Sequence, residues 1–149
     1  MDLKIYYGNK ARSVELYNRN KEVIERKYCY NNVFNAMNHD DDVLEKIING
    51  EWKIAYCYFK VFDNKNVYVR HCCFLDVLSD EMIDPTVTLL STFKARQRLE
   101  YRLIHAFDYD EYMDAINMYH NEPALTEYLS IENEMLRTQM LTDGLIAID

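Results

Sequence analysis

The chain opens with alternating apolar and polar residues. Leu3-Lys4-Ile5-Tyr6-Tyr7 runs into Gly8-Asn9, which predicts a short strand closed by a turn. Ser13-Val14-Glu15-Leu16-Tyr17 alternates again, Asn18-Arg19-Asn20 has turn composition, and Val23-Ile24-Glu25-Arg26 follows. The first 28 residues therefore read as short strands or an extended meander. The period changes at Cys29, from which Val33, Ala36 and Met37 recur at helical spacing. One of Asp40, Asp41 and Asp42 is expected to cap a second helix carrying Val43, Leu44, Ile47 and Ile48, and Asn49-Gly50 stops it.

Two long runs, Trp52 to Phe62 and Tyr68 to Leu75, are apolar on both pleats; Arg70 and His71 interrupt the second. Strands buried on both faces have this pattern. Asp63-Asn64-Lys65-Asn66 between them is hairpin chemistry. Met82-Ile83-Asp84 reads as a third strand closing a meander, and Tyr101 to Phe107 as another short strand. Asp108 or Asp110 is expected to cap a helix carrying Tyr112, Met113, Ile116 and Tyr119. A second helix is predicted from Pro123, with Leu125, Leu129, Leu136 and Met140 along one stripe and Gly144 as its stop. The expected fold class is α+β: an N-terminal helix, an antiparallel sheet and a C-terminal helical pair. It forms a single domain over 1–149, with a core over 1–107 and the C-terminal helices over 108–143.

Composition narrows the function. The chain has 149 residues, is 49% hydrophobic and holds 13 tyrosines, enough to bury a core. Its formal net charge of -8 repels phosphate backbones, so no nucleic-acid partner is expected. The local basic stretch Lys94-Ala95-Arg96-Gln97-Arg98 reads as a solvated face paired with Glu100. No signal-peptide layout is present, and no apolar run reaches the ~20 residues of a membrane span. A cytoplasmic protein without membrane contact is expected, its four cysteines reduced. Frequent Lys, Asn, Ile and Tyr suit an AT-rich phage or bacterial genome. Cys57, His71, Cys72 and Cys73 have no zinc-site spacing, and adjacent Cys72 and Cys73 point to opposite faces of a strand. His105 with Asp108 and Asp110 is weakened as a metal cluster by the capping roles of the two aspartates. No glycine-rich phosphate loop occurs, so neither metal nor cofactor is expected.

Three residues carry the candidate chemistry. Cys29 stands where a helix begins, and a helix N-terminus and a nearby imidazolium both stabilise a thiolate. His71 breaks an apolar strand and shares a pleat with Val69 and Cys73. Asp84 follows on the next short run, and a loop over Asp76 to Asp80, or a bulge, sets it opposite or diagonal to His71 on one face. There a carboxylate can orient the imidazole. Pro85 biases Asp84 to extended backbone.

The pieces RKYCYNN, VYVRHCCFLD and EMIDPTV resemble the cysteine, histidine and aspartate motifs of the papain-like superfamily. The Cys-His-Asp branch, comprising transglutaminase-like proteases and arylamine N-acetyltransferases, is the most similar. The resemblance spans Cys29 to Thr86, just over a third of the chain. It implies a papain-like core and a thiol enzyme acting on an amide or acyl group of a protein or peptide, as protease, deamidase or acyltransferase. The implied catalytic residues are Cys29, His71 and Asp84. Two features depart from the pattern. No glutamine precedes Cys29 as an oxyanion donor, leaving Asn18 or Asn20 as stand-ins, and Tyr28 and Tyr30 flank the cysteine where small residues are usual. The alternative expectation is a non-catalytic protein-binding protein of the same fold, such as a viral or mobile-element inhibitor of a host protein.

Overall fold

Six strands and five helices are present among the residues described by the computed structural model, which are 3–90, 93, 98–118, 123–124 and 130–148. In chain order they are β1 (Ile5–Gly8), α1 (Lys10–Asn20), α2 (Cys29–His39), α3 (Asp41–Ile48), β2 (Trp52–Lys60), β3 (Val67–Asp76) and β4 (Glu81–Ile83). After a 3-10 turn (Thr86–Leu89) come β5 (Glu100–Phe107), α4 (Tyr109–Met118), α5 (Ser130–Thr142) and β6 (Ile146–Ile148). The class is α+β, as expected. The sheet, however, is not an open antiparallel meander. Its order is β2-β5-β1-β4-β3, and β3 pairs back onto β2, closing a five-stranded barrel. The β1–β4 and β3–β6 pairs are parallel.

Closure explains why β2 and β3 are apolar on both pleats. One face fills the barrel with Tyr6, Ala55, Cys57, Phe59, Cys73, Leu75, Met82 and Tyr101, drawn from all five strands. The other face, with Ile54, Tyr56, Cys72, Phe74 and Phe107, receives Val33, Ala36 and Met37 of α2, Val43 and Ile47 of α3, and Tyr112 and Ile116 of α4. Leu136 and Met140 of α5 cover Tyr58 and Tyr68 further along. Cys72 and Cys73 thus lie on opposite faces, as their adjacency requires.

One edge of β3 is shared. β4 pairs with Phe74 to Asp76, and β6 with Val67 to Val69. Between them, residues 70–73 have no strand partner on that edge among the described residues, and His71 lies in this gap. The β3–β4 register, Phe74 with Ile83, carries on to set Asp84 against Cys73, diagonal to His71. On its other edge His71 faces Cys57 in the long β2–β3 hairpin.

Residues 13–17 are helical, which corrects the strand expected there. The Asn9 side chain caps α1 by accepting the Arg12 N–H at 3.0 Å, and Ser13, Leu16 and Asn20 form its buried stripe. Five residues with three apolar positions fit either period, Val14 and Leu16 lying two apart and Val14 and Tyr17 three apart, and burial against the barrel chooses the helix. Asn20 is no turn residue: its amide nitrogen donates to Leu16 O and to Asp40 Oδ2. The helices at Cys29 and after Asp40 occur as expected, with Asp40 accepting from the Asp42 and Val43 N–H groups. Asp108 caps α4 through the Glu111 N–H at 2.8 Å, and Gly144 ends α5 with φ +82. Pro123 and Ala124 form a turn, and the described part of the second C-terminal helix is α5. Tyr119, Leu125, Leu129 and 94–97 lie outside the described residues. β6 was not anticipated: three residues after a helix carry too little periodicity to register. Among the described residues no helix is long and apolar enough to cross a membrane.

Candidate thiol–imidazole–carboxylate site

Asp84 is fully buried and lies just past the end of β4, where the chain leaves the barrel. It serves two structures at once. Oδ1 accepts the N–H groups of Thr86 and Val87 at 3.1 and 3.3 Å, capping the turn that Pro85 opens with φ -68. Oδ2 accepts from His71 Nε2 at 2.6 Å and from the Tyr101 hydroxyl at 2.8 Å. Its backbone N–H donates to Ser13 Oγ at 2.9 Å, whose hydroxyl donates to Asn9 O at 2.7 Å. The first turn of α1 therefore anchors the carboxylate.

A carboxylate only accepts, so Nε2 is the protonated nitrogen of His71 and Nδ1 is left for other work. The ring is 8% exposed and tilts against Phe59 at 5.3 Å. Burial opposes the imidazolium, but the charges of Asp84 and Cys29 and hydrogen bonds to both outweigh it and raise the His71 pKa well above its ordinary value. Burial, then the charge of Asp84, pushes the Tyr101 hydroxyl up, so it stays a donor.

Cys29 is the first residue of α2, and its half-buried thiol lines the same cavity as the His71 ring, close enough for its charge to act on the imidazole. No side chain caps α2, which leaves its first-turn N–H groups uncapped at the thiol. Asn32, one turn on, fixes this terminus. Its amide pairs with the backbone of Glu25 at 2.8 and 2.7 Å and donates to Thr86 Oγ1 at 2.8 Å. One side chain thus ties the segment before Cys29 to the turn that holds Asp84.

The structure brings together all three residues singled out from sequence. It does not bring the two asparagines. Asn20 is occupied by Asp40, Leu16 and His39, and Asn18 is exposed on α1, away from the thiol's cavity. Tyr101, Ser13, Asn32 and Thr86 were missed. Asp-Pro-Thr-Val does have the pattern of a capped turn, which points to the Thr86 and Val87 bonds, whereas Tyr101 and Ser13 arrive by long-range pairing that no local pattern encodes.

A cavity of about 600 Å³ opens beside Cys29 and His71. Phe59, Val61, Val69, Val87 and Leu90 supply apolar wall; Arg26, Lys27 and Arg70 supply its charged lining. The other three cysteines are fully buried. Burial pushes the Cys72 and Cys73 thiols well up, and Cys57 Sγ donates to His71 O at 3.6 Å. His105 pairs with Glu111 at 3.0 Å, outside the site. No family model, curated protein or solved structure matches the chain.

Proposed function

We propose that the protein is a thiol enzyme of papain-like, transglutaminase-like kind that acts on an amide or acyl group through Cys29, His71 and Asp84. The observation that carries this reading is the buried 2.6 Å contact between His71 Nε2 and Asp84, with Cys29 lining the same cavity as that imidazole. A nucleophile, a base and an orienting group in sequence are what acyl transfer needs.

Cys29 stands at the α2 N-terminus beside the His71 imidazole, the setting in which a thiol serves as nucleophile. Its sulfur attacks the carbonyl carbon, and in this reading the first-turn N–H groups of α2, which no side chain caps, donate to the developing oxyanion. The bond to the leaving group breaks, and His71 gives that group its Nδ1 proton. An acyl-thioester remains on Cys29. Water or an amine then attacks it while Nδ1 takes the incoming proton, and the carbon–sulfur bond breaks. Asp84 holds the Nε2 proton throughout. The leaving group distinguishes protease from deamidase, and the second nucleophile, water or an amine, distinguishes both from acyltransferase.

The test is mass spectrometry of the wild type and Cys29→Ala after brief exposure to iodoacetamide at mildly acidic pH, and separately to p-nitrophenyl acetate. Selective alkylation and acetylation of Cys29 are expected. Equal, slow labelling of all four thiols sinks the reading. One observation favours a second reading: among the described residues lining the cavity none is Asn or Gln. In that reading the fold is kept and the protein acts by binding a protein partner. Binding that survives Cys29→Ala, together with an unreactive Cys29, selects it.

A further inference from the structure

The charge around the thiol is opposite in sign to that of the chain. The sequence carries a net -8, yet the charged side chains lining the cavity beside Cys29 are Arg26, Lys27 and Arg70, with no carboxylate among the described lining residues. Asp84 sits behind His71, fully buried and saturated by four donors. Arg70 is the unusual member. Its Nε and Nη2 are buried and have no hydrogen-bond partner among the described residues, and the Tyr30 ring lies 5.7 Å from its guanidinium carbon. Guanidinium nitrogens buried without an acceptor are costly even on a partly exposed arginine, and low-dielectric walls focus its field into the cavity. Lys27 adds strain: its φ of 71 is a conformation that favours glycine and asparagine, yet a lysine occupies it two residues before the thiol.

Resting on the thiol-enzyme reading, we infer that the substrate is an acidic peptide segment: an apolar side chain lies along the cavity wall, and a neighbouring carboxylate completes the Arg26, Lys27 and Arg70 cluster. The cations hold the substrate and do no bond-making. An acidic protein surface around a basic mouth also steers such a segment to the thiol and away from the rest of the molecule.

Two alkylating agents of nearly equal size test the charge directly. Iodoacetate is an anion and iodoacetamide is neutral, and both alkylate the same sulfur. The ratio of their rates at Cys29 is compared with the ratio at free cysteine. Expected is a ratio several-fold in favour of iodoacetate at low salt. Arg26→Gln and Lys27→Asn, both at exposed positions, each lower it by about threefold. Added salt lowers it as well. The second arm is protection of Cys29 from iodoacetamide by end-blocked tetrapeptides that differ only in Glu or Gln beside a leucine; the Glu peptide protects at the lower concentration. A reactive Cys29 with a free-cysteine ratio, unmoved by either substitution, or equal protection by the two peptides, overturns the inference and leaves the thiol-enzyme reading standing. A Cys29 inert to both reagents overturns both.

Discussion

Replacing Asp84 by Asn separates an orienting carboxylate from a merely buried one. The asparagine keeps the size and leaves its carbonyl oxygen to the Thr86 and Val87 N–H groups, which hold it at 3.1 and 3.3 Å in the wild type. Its NH₂ must then face His71 Nε2 and the Tyr101 hydroxyl, both donors to Oδ2 in the wild type. Donor against donor is repaired by moving the imidazole proton to Nδ1. Nδ1 then can no longer take a proton from Cys29. Loss of the correct tautomer costs about 10⁴-fold in turnover where a buried aspartate orients a catalytic histidine. Removing one partner of a buried ion pair costs about 3–5 kcal/mol of stability, which lowers a urea midpoint by about 2 M at an m-value of about 2 kcal/mol/M.

The pH dependence supplies an independent readout. The His71 pKa is raised in the folded protein. The stability this contributes is fully present below the unfolded value of about 6.5 and is lost as pH rises through the folded value. The wild-type urea midpoint is therefore lower at about pH 9 than at about pH 6. In Asp84→Asn the principal raising charge is gone while burial still lowers the pKa, so this alkaline loss shrinks. An Asp84→Asn protein with wild-type Cys29 alkylation and an unchanged alkaline loss refutes the reasoning.

Tyr101→Phe removes one of four donors to Asp84 but keeps the ring against Phe59 at 5.0 Å. It should cost about 1–2 kcal/mol in urea unfolding and move the His71 titration, followed by NMR, upward as Asp84 pairs more strongly with the imidazolium. Gly8→Ala places a Cβ 2.9 Å from Leu99 Cβ and 3.1 Å from Tyr101 Cε2. Overpacking of about 1–3 kcal/mol is expected in the same assay, with slower Cys29 alkylation as Tyr101 shifts. Asn32→Ala frees the Glu25 backbone and Thr86 Oγ1. Hydrogen exchange at residues 25–28 should rise, and Cys29 acylation should fall more than global stability does.

Local chemistry carried far in parts of this chain. Cys29 heads a helix because Val33, Ala36 and Met37 recur at one turn's spacing, and that stripe is the one α2 buries. Asp40 and Asn49-Gly50 bound α3 through the cap and stop chemistry of their own side chains and backbone. The β2–β3 hairpin follows from two apolar runs around Asp63-Asn64-Lys65-Asn66. Where the local pattern was short, it misled. Residues 13–17 satisfy the strand period and the helix period alike, and Asn9 capping with barrel contact at Leu16 settled them as helix.

What the sequence by itself determined is which groups stand ready: a cysteine at a helix start, a histidine breaking an apolar strand, an aspartate before proline, and a turn cap within Asp-Pro-Thr-Val. Those follow from interactions that span a few residues. Their convergence was decided by tertiary structure. Barrel closure pairs β5 with β1 and β2, which delivers Tyr101 to Asp84 across 17 positions. The parting of β4 and β6 along β3 opens the edge at His71. Packing of α2 on the outer face, fastened by Asn32 across 54 positions to Thr86, brings Cys29 to the same gap. Each is a contact between segments far apart in the chain, favoured by burial that only the assembled barrel provides, so no short window of residues encodes it.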